Sequence, residues 1–192
     1  MPPNPDYPAR LEIDYPPQLS RLLIFVKWLL ALPHYIVLLF LGIGAYVVWI
    51  VSFFAVLITG RYPEGMFDYM VGVVRWAHRV GAYISLVTDV YPPFSLADDP
   101  SYPVRVEVDY PQQIARWRPL VYWLLVIPAA FCAAAIALAA YVCVFIAFFA
   151  ILITGRFPEG MFNVVMIAFR WAVRTTIYNY WMTEPYPPFV WA

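Results

Sequence analysis

Polar and apolar positions alternate in two short stretches of this chain, and each stretch gives way to a long apolar run. Arg10, Glu12 and Asp14 interleave with Leu11 and Ile13, and Arg105, Glu107 and Asp109 interleave with Val106 and Val108. Period two with β-branched residues predicts a short extended strand with one wet face, and the flanking Tyr-Pro pairs favour the same geometry. The apolar runs follow at Leu19 to Thr59 and Ile114 to Thr154. A straight helix over such a run would be about 61 Å long, twice what the hydrocarbon layer of a bilayer needs. Pro33 and Pro128 hold equivalent places, so one expectation is a helix of about a dozen residues before the proline and a longer one after it. The other is a hairpin that doubles back near Leu41-Gly42-Ile43-Gly44, where the second run reads Ile136-Ala137-Leu138-Ala139 and carries no turn signal.

A third segment runs over 63–88 and 158–183. Its polar positions Asp68, Arg75, Arg79 and Tyr83, matched by Asn163, Arg170, Arg174 and Tyr178, fall on one helical stripe. This predicts an amphipathic helix, either lying flat with its arginines toward phosphate or turned inward toward the other half of the chain.

These patterns come twice because the chain is a tandem repeat. Ile58-Thr59-Gly60-Arg61-Tyr62-Pro63-Glu64-Gly65-Met66-Phe67 returns 95 residues later as Ile153-Thr154-Gly155-Arg156-Phe157-Pro158-Glu159-Gly160-Met161-Phe162, with no insertion or deletion between the copies. The units divide as residues 1–95 and 96–192. Their Lys and Arg placement is nearly the same, and basic flanks set orientation, so the copies are expected to be parallel, with an even number of crossings each. Three arrangements stay open. In one, the apolar run is a hairpin with the amphipathic helix at the surface. In another, the helix after the proline crosses once and the amphipathic helix returns; the third is an inverted pair with one crossing each.

Composition places the chain in a membrane. Of its residues 64% are hydrophobic and 12% charged, far from the balance of roughly half apolar and a quarter charged found in soluble domains. The expected fold class is an all-α integral membrane protein of two tandem parallel repeats. Each is an apolar helical hairpin or kinked helix plus an amphipathic helix, with short extended segments at the membrane surface. Met1 to Asp6 lacks the basic and apolar regions of a signal peptide, so the first apolar helix is expected to stay in the mature protein. Net charge is zero with no basic cluster, which excludes nucleic acid as a partner.

The strings Leu32-Pro33-His34-Tyr35, Thr59 to Asp68, Arg75-Trp76-Ala77-His78-Arg79 and Thr88 to Phe94 resemble the bacterial membrane-protein family known as domain of unknown function 4389, whose domains often occur in tandem. The resemblance implies a multi-pass protein of the bacterial cell membrane and no established activity. The second copy departs from the pattern at Ala129-Ala130, in place of His34-Tyr35, and at Val173, in place of His78.

Candidate chemistry is sparse. Cys132 and Cys143 lie about 16 Å apart on a helix, too far for a disulfide. No Cys, His and carboxylate cluster stands at ligand spacing and no serine, histidine and acid grouping is visible, so no metal, no cofactor and no enzyme activity are expected. The turn built from Gly60, Pro63 and Glu64, and from Gly155, Pro158 and Glu159, reads as a structural turn, with glycine ending one helix and proline and glutamate opening the next. Arg61, Arg75, Arg79, Arg156, Arg170 and Arg174 are the candidates for binding lipid headgroups or a partner. The small residues Ala133 to Ala135, opposite Leu38 to Phe40 in the first copy, predict close packing of the two units or of a partner helix. The expected function is non-catalytic, a scaffold or accessory subunit binding lipids or a larger membrane complex. The alternative is a small transporter or channel with a site at the repeat interface.

Overall fold

In the computed structural model, which describes residues 7–190, each copy builds a strand, a long apolar helical region and a second helix. The first copy contributes β1 (Ala9–Ile13), α1 (Leu23–Leu30), α2 (Leu32–Thr59) and α3 (Glu64–Ile84), and the second β2 (Val104–Val108), α4 (Arg118–Thr154) and α5 (Glu159–Asn179). Met1 to Asp6, on which the signal-peptide expectation rests, lies outside the described residues.

The alternating stretches form the predicted strands, and they pair with each other. β1 and β2 are antiparallel, with Ala9 opposite Val108, Leu11 opposite Val106 and Ile13 opposite Val104. Leu11 and Val106 are repeat equivalents, so a pseudo-two-fold axis passes between them, perpendicular to the sheet. Each contact beside it occurs twice, as an isologous interface requires. The Leu19 N–H donates to the Gly155 carbonyl at 2.8 Å, and the Ile114 N–H to the Gly60 carbonyl at 2.8 Å. Tyr15 and Tyr110 donate their hydroxyls to the carbonyls of Phe157 and Tyr62. These bonds join the start of each long helical region to the end of the other. Since equivalent points lie at equal height along the axis, both ends of each region sit at one level.

No hairpin forms within the apolar runs. Residues 41–44 and 136–139 lie inside α2 and α4, because glycine without proline or a polar turn residue supplies no substitute for the helical hydrogen bonds that a reversal would break. The kinked-helix expectation holds in the first copy, where the break is a single residue, Ala31, just before Leu32-Pro33. In the second copy Pro128 is accommodated inside a continuous α4. Leu23–Thr59 and Arg118–Thr154 are thus two helical stretches of 37 residues, each long and apolar enough to cross a membrane.

Both long helices end on a left-handed glycine, Gly60 at φ 71° and Gly155 at φ 72°, the conformation in which a side chain would be strained. Pro63 and Pro158 stand at the N-caps, one place earlier than expected, and Glu64 and Glu159 open the helices. The turn therefore runs from a left-handed glycine cap to a proline N-cap in both copies.

The amphipathic helices do not lie flat with their arginines toward solvent. α3 packs on β2 and α5 on β1, each serving the strand of the other copy. The inner strand residues Leu11, Val104 and Val106 are buried beneath them in a core that runs through both copies. The reason is geometric: the strand pair presents an apolar face near the axis, and the polar stripe reaches past it to backbone carbonyls.

The outer face of the sheet carries ion pairs. Arg10 bonds both carboxylate oxygens of Asp109, at 2.9 and 2.7 Å, and Arg105 bonds both of Asp14 at the same distances. These hydrogen bonds hold Asp14 and Asp109 below the usual carboxylate range. A depressed carboxylate contributes stability above its unfolded pKa of about 3.9 and loses it as pH falls through the folded value. Both carboxylates are more than half exposed, so screening limits each pair to about 0.2–1 kcal/mol. Amide exchange at Asp14 and Asp109, which donate to the Pro103 and Pro8 carbonyls, is expected to be less protected at about pH 2 than at about pH 5. Arg10→Gln with Arg105→Gln should remove that difference; equal protection at both pH values in the unaltered chain would show that the pairs contribute nothing.

Candidate functional site

The arginine stripe lies between the copies. Arg75 donates from Nε to the Val106 carbonyl at 3.3 Å and from Nη1 to the Leu96 carbonyl at 3.0 Å, and its equivalent Arg170 donates from Nε to the Leu11 carbonyl at 3.2 Å. One turn on, Arg79 donates to the Ala97 carbonyl at 3.1 Å and sits over the Tyr102 ring, 5.4 Å from its centroid. Arg174 stands over Tyr7 at 5.8 Å in the equivalent place. Arg79, Arg170 and Arg174 are 0%, 4% and 2% exposed. Burial lowers the pKa of all three guanidinium groups and raises those of the Tyr7 and Tyr102 hydroxyls. Four of the six candidate arginines therefore grip the other repeat's backbone or rings.

Arg61 and Arg156 are exposed, just after the glycine caps of the long helices. Two exposed arginines that the candidate set omitted join them. The side chain of Arg116 covers Gly60 and that of Arg21 covers Gly155, each with its Nε 3.5 to 3.6 Å from where a Cβ would stand. Each long helix thus ends at a basic corner supplied by both copies, Arg61 with Arg116 and Arg156 with Arg21. The repeated Arg21 and Arg116 were visible in the sequence, but only the strand-paired fold brings each to the other copy's helix end.

A second pair of sites was not expected. The Lys27 ammonium, 1% exposed, donates to the Thr88 carbonyl at 2.6 Å and pairs with Asp89 at 2.8 Å. Asp89 also accepts the Ser20 N–H at 2.6 Å. In the second copy the place of Lys27 is taken by Tyr122, which donates to the Thr183 carbonyl at 2.6 Å. The cation has moved one turn back to Arg118, which pairs with Glu184 at 3.3 Å and donates to the Tyr122 hydroxyl at 3.1 Å. Both copies keep one cation and one acid, by different residues. The signal was present as Thr88-Asp89 and Thr183-Glu184, each following its amphipathic helix.

The histidines are engaged locally. Trp76 donates its indole N–H to His34 Nδ1 at 3.0 Å, and the His34 ring stacks on Phe94 at 4.0 Å. Ala129 replaces His34 in the other copy. His78 Nδ1 lies 2.7 Å from the Val74 carbonyl, and Cys132 and Cys143 are free thiols. Among the described residues no group of three or more His, Cys, Asp or Glu could hold a metal ion.

The comparison that decides kinship follows the repeat: residues 21–95 and again 116–190 match the family described as Domain of unknown function (DUF4389). The chain belongs to this family. Each DUF4389 unit contains the long helix, the turn, the amphipathic helix and the following acid, Asp89 or Glu184. The strands β1 and β2 precede the matched residues, so the pairing that joins the two DUF4389 units comes from repeated segments outside them. Neither a curated protein nor a solved structure matches the chain.

Proposed function

We propose that this protein is a non-catalytic integral membrane protein, a scaffold or accessory subunit that holds lipids or a larger membrane complex. One observation carries the reading: the most apolar windows of the two long helices are only 6% and 17% buried. The core helix of a soluble protein would hide such a surface, whereas Ile36, Leu39, Phe40, Leu138, Phe145 and Ile153 all stand exposed. The buried cations also support a holding role, since Lys27 and the stripe arginines are committed to backbone carbonyls, tyrosine rings and carboxylates.

The charged outer face of the sheet supports an orientation with that face in water, the two-fold axis along the membrane normal and the copies parallel. Both ends of each long helical region then lie at one face of the membrane. With 37 residues and about 55 Å of helix, each region arches into the apolar layer or lies along it. The basic corners fall at that face, suited to anionic headgroups.

With Cys132 and Cys143 replaced by alanine, single cysteines at Arg61, Val90 and Asp99 are expected to react with an impermeant thiol reagent from the same side of sealed vesicles. Opposite-side labelling of any pair would defeat this arrangement. Glutamine at Arg21, Arg61, Arg116 and Arg156 together should lower retention of phosphatidylglycerol in native mass spectrometry several-fold, while Arg75→Gln should leave it unchanged. Release of the unaltered chain from membranes by alkaline carbonate would remove the membrane reading itself.

A further inference from the structure

A helix that runs unbroken between two points at one height has little freedom to dip between them. Ile114, just before α4, bonds Gly60, and Gly60 is the repeat equivalent of Gly155 at the far end of α4. The two-fold axis therefore puts both ends of α4 at one height along it. Between them α4 is continuous over 37 residues, about 55 Å. Long helices curve with a radius of about 60–100 Å, which over this length moves the middle off the chord by only about 5 Å, and a kink of about 25° at Pro128 adds a similar amount. Half of the hydrocarbon layer is about 15 Å thick. With its ends at the headgroup level and the axis along the membrane normal, α4 stays on one side of the bilayer centre. The first copy is held in the same way, and its break at Ala31 is slight, since the Ala31 N–H still donates to the Lys27 carbonyl and the Tyr35 N–H to the Ala31 carbonyl. Turning the axis into the membrane plane would instead carry the ion pairs of Arg10 and Arg105 into hydrocarbon, at a large cost.

The exposed side chains suit a helix lying along a surface. Ile36, Ile43, Ile50, Phe54 and Ile58 are all exposed and fall within about 80° of one another around α2. Their repeat equivalents, which run from Phe131 to Ile153 in α4, are likewise large, apolar and exposed. The stripe keeps one bearing over about 33 Å, and the residues His34, Ser52 and Val56 of α2 are buried against the fold. Tyr46 and Tyr141, equivalent residues well inside these apolar stretches, are 62% and 73% exposed. In an upright helix with Thr59 at the interface, Tyr46 would stand about 20 Å in, past the bilayer centre and away from the headgroup layer that tyrosine favours. Tyr46 lies about 80° from Ile36 around the helix, at the margin of the stripe. That margin is where a helix lying along one leaflet meets the headgroups.

We propose that both long helices lie within a single leaflet, with the ion-paired face of the sheet in water, and that the lipid surface this protein fits is a convex one. This placement rests on the membrane reading above and goes beyond it by leaving the second leaflet untouched. Two long helices inserted from one side widen that leaflet alone, and the expansion is relieved where the membrane bulges toward them, so binding is sensitive to curvature.

Spin labels placed singly at Ile36, Ile43, Ile50 and Ile58, in the full chain with Cys132 and Cys143 replaced by alanine, test the placement in vesicles of phosphatidylcholine and phosphatidylglycerol. Competition between oxygen and a water-soluble nickel chelate reads the depth of each label. All are expected within about 10 Å of one depth, with none beyond the bilayer centre. Labels spread over about 33 Å and passing the centre would overturn the single-leaflet placement and leave the membrane reading standing. Shielding of every label from both reagents would show the stripe covered by protein, a second copy included, and would also overturn it. Free access of the nickel chelate to every label would put the stripe in water and overturn both readings. The unaltered chain, diluted from detergent into mixed vesicles, should collect several-fold more per lipid on those about 30 nm across than on those about 200 nm across. Equal amounts on both would overturn the preference for a convex surface.

Discussion

Lys27→Met is expected to lower the stability of the fold by about 3 kcal/mol, and Leu23→Arg combined with Lys27→Tyr to recover most of that loss. The methionine fills the same space but leaves Asp89 without its cation and the Thr88 carbonyl without its donor. Breaking a buried pair from one side costs about 3–5 kcal/mol, and Asp89, 26% exposed at its side chain, keeps the Ser20 N–H, which sets the lower end. The rescue follows from the second copy. Positions 23 and 27 are one helical turn apart on one face, and their equivalents Arg118 and Tyr122 already satisfy Glu184 and the Thr183 carbonyl together. The double variant transplants a working arrangement into the other copy. Unfolding in detergent, followed by tryptophan fluorescence, reads both effects. A Lys27→Met protein as stable as the unaltered chain would show that the pair contributes nothing. A double variant no better than Lys27→Met would show that the two copies do not share one backbone frame at this place.

The same pair marks the boundary of what the sequence discloses. Alternation, the long apolar runs and the arginine stripe are local patterns with a spacing, and they formed strands and helices as that spacing predicts. The break at Ala31 was legible from Pro33, whereas the equivalent Pro128 left α4 continuous, so the proline alone did not decide it. What lay opposite each element was not. A helical stripe says that Arg75 and Arg79 share a face, but the carbonyls they bind belong to residues 96–97 and to the other copy's strand. Lys27 and Asp89 are 62 positions apart and meet only because α3 brings the chain back to the start of α1. Stripe arginines facing phosphate and stripe arginines facing protein have the same spacing, and the strand pair decided between them. The internal repeat carried one further clue, since a cation kept in number but displaced by one turn points to a shared acidic partner. The hairpin expectation failed for a related reason: a pair of glycines permits a bend, and only competing contacts could have required one.

The buried arginines give the other large effect. Arg79→Met and Arg174→Met are each expected to destabilise the fold by about 2–4 kcal/mol, while Arg61→Met stays within about 0.5 kcal/mol. For Arg79, methionine keeps the volume but leaves the Ala97 carbonyl short of a donor, at about 1–3 kcal/mol, and removes a cation from the Tyr102 ring, at about 0.5–2 kcal/mol. Arg174 occupies the equivalent place beneath the first strand, over the Tyr7 ring. Lysine should not restore either position, since a point charge on a flexible stem lacks the planar fork and desolvates at greater cost. The readout is again unfolding in detergent, with Arg61→Met as the exposed control. Equal small losses at all three positions would mean that the stripe is solvated and free to hold headgroups, returning the lipid site to Arg75, Arg79, Arg170 and Arg174. Large losses at Arg79 and Arg174 alone would identify the stripe as the clamp between repeats and leave the exposed corners at Arg61 and Arg116, and at Arg156 and Arg21, as the arginines free for the proposed headgroup contact.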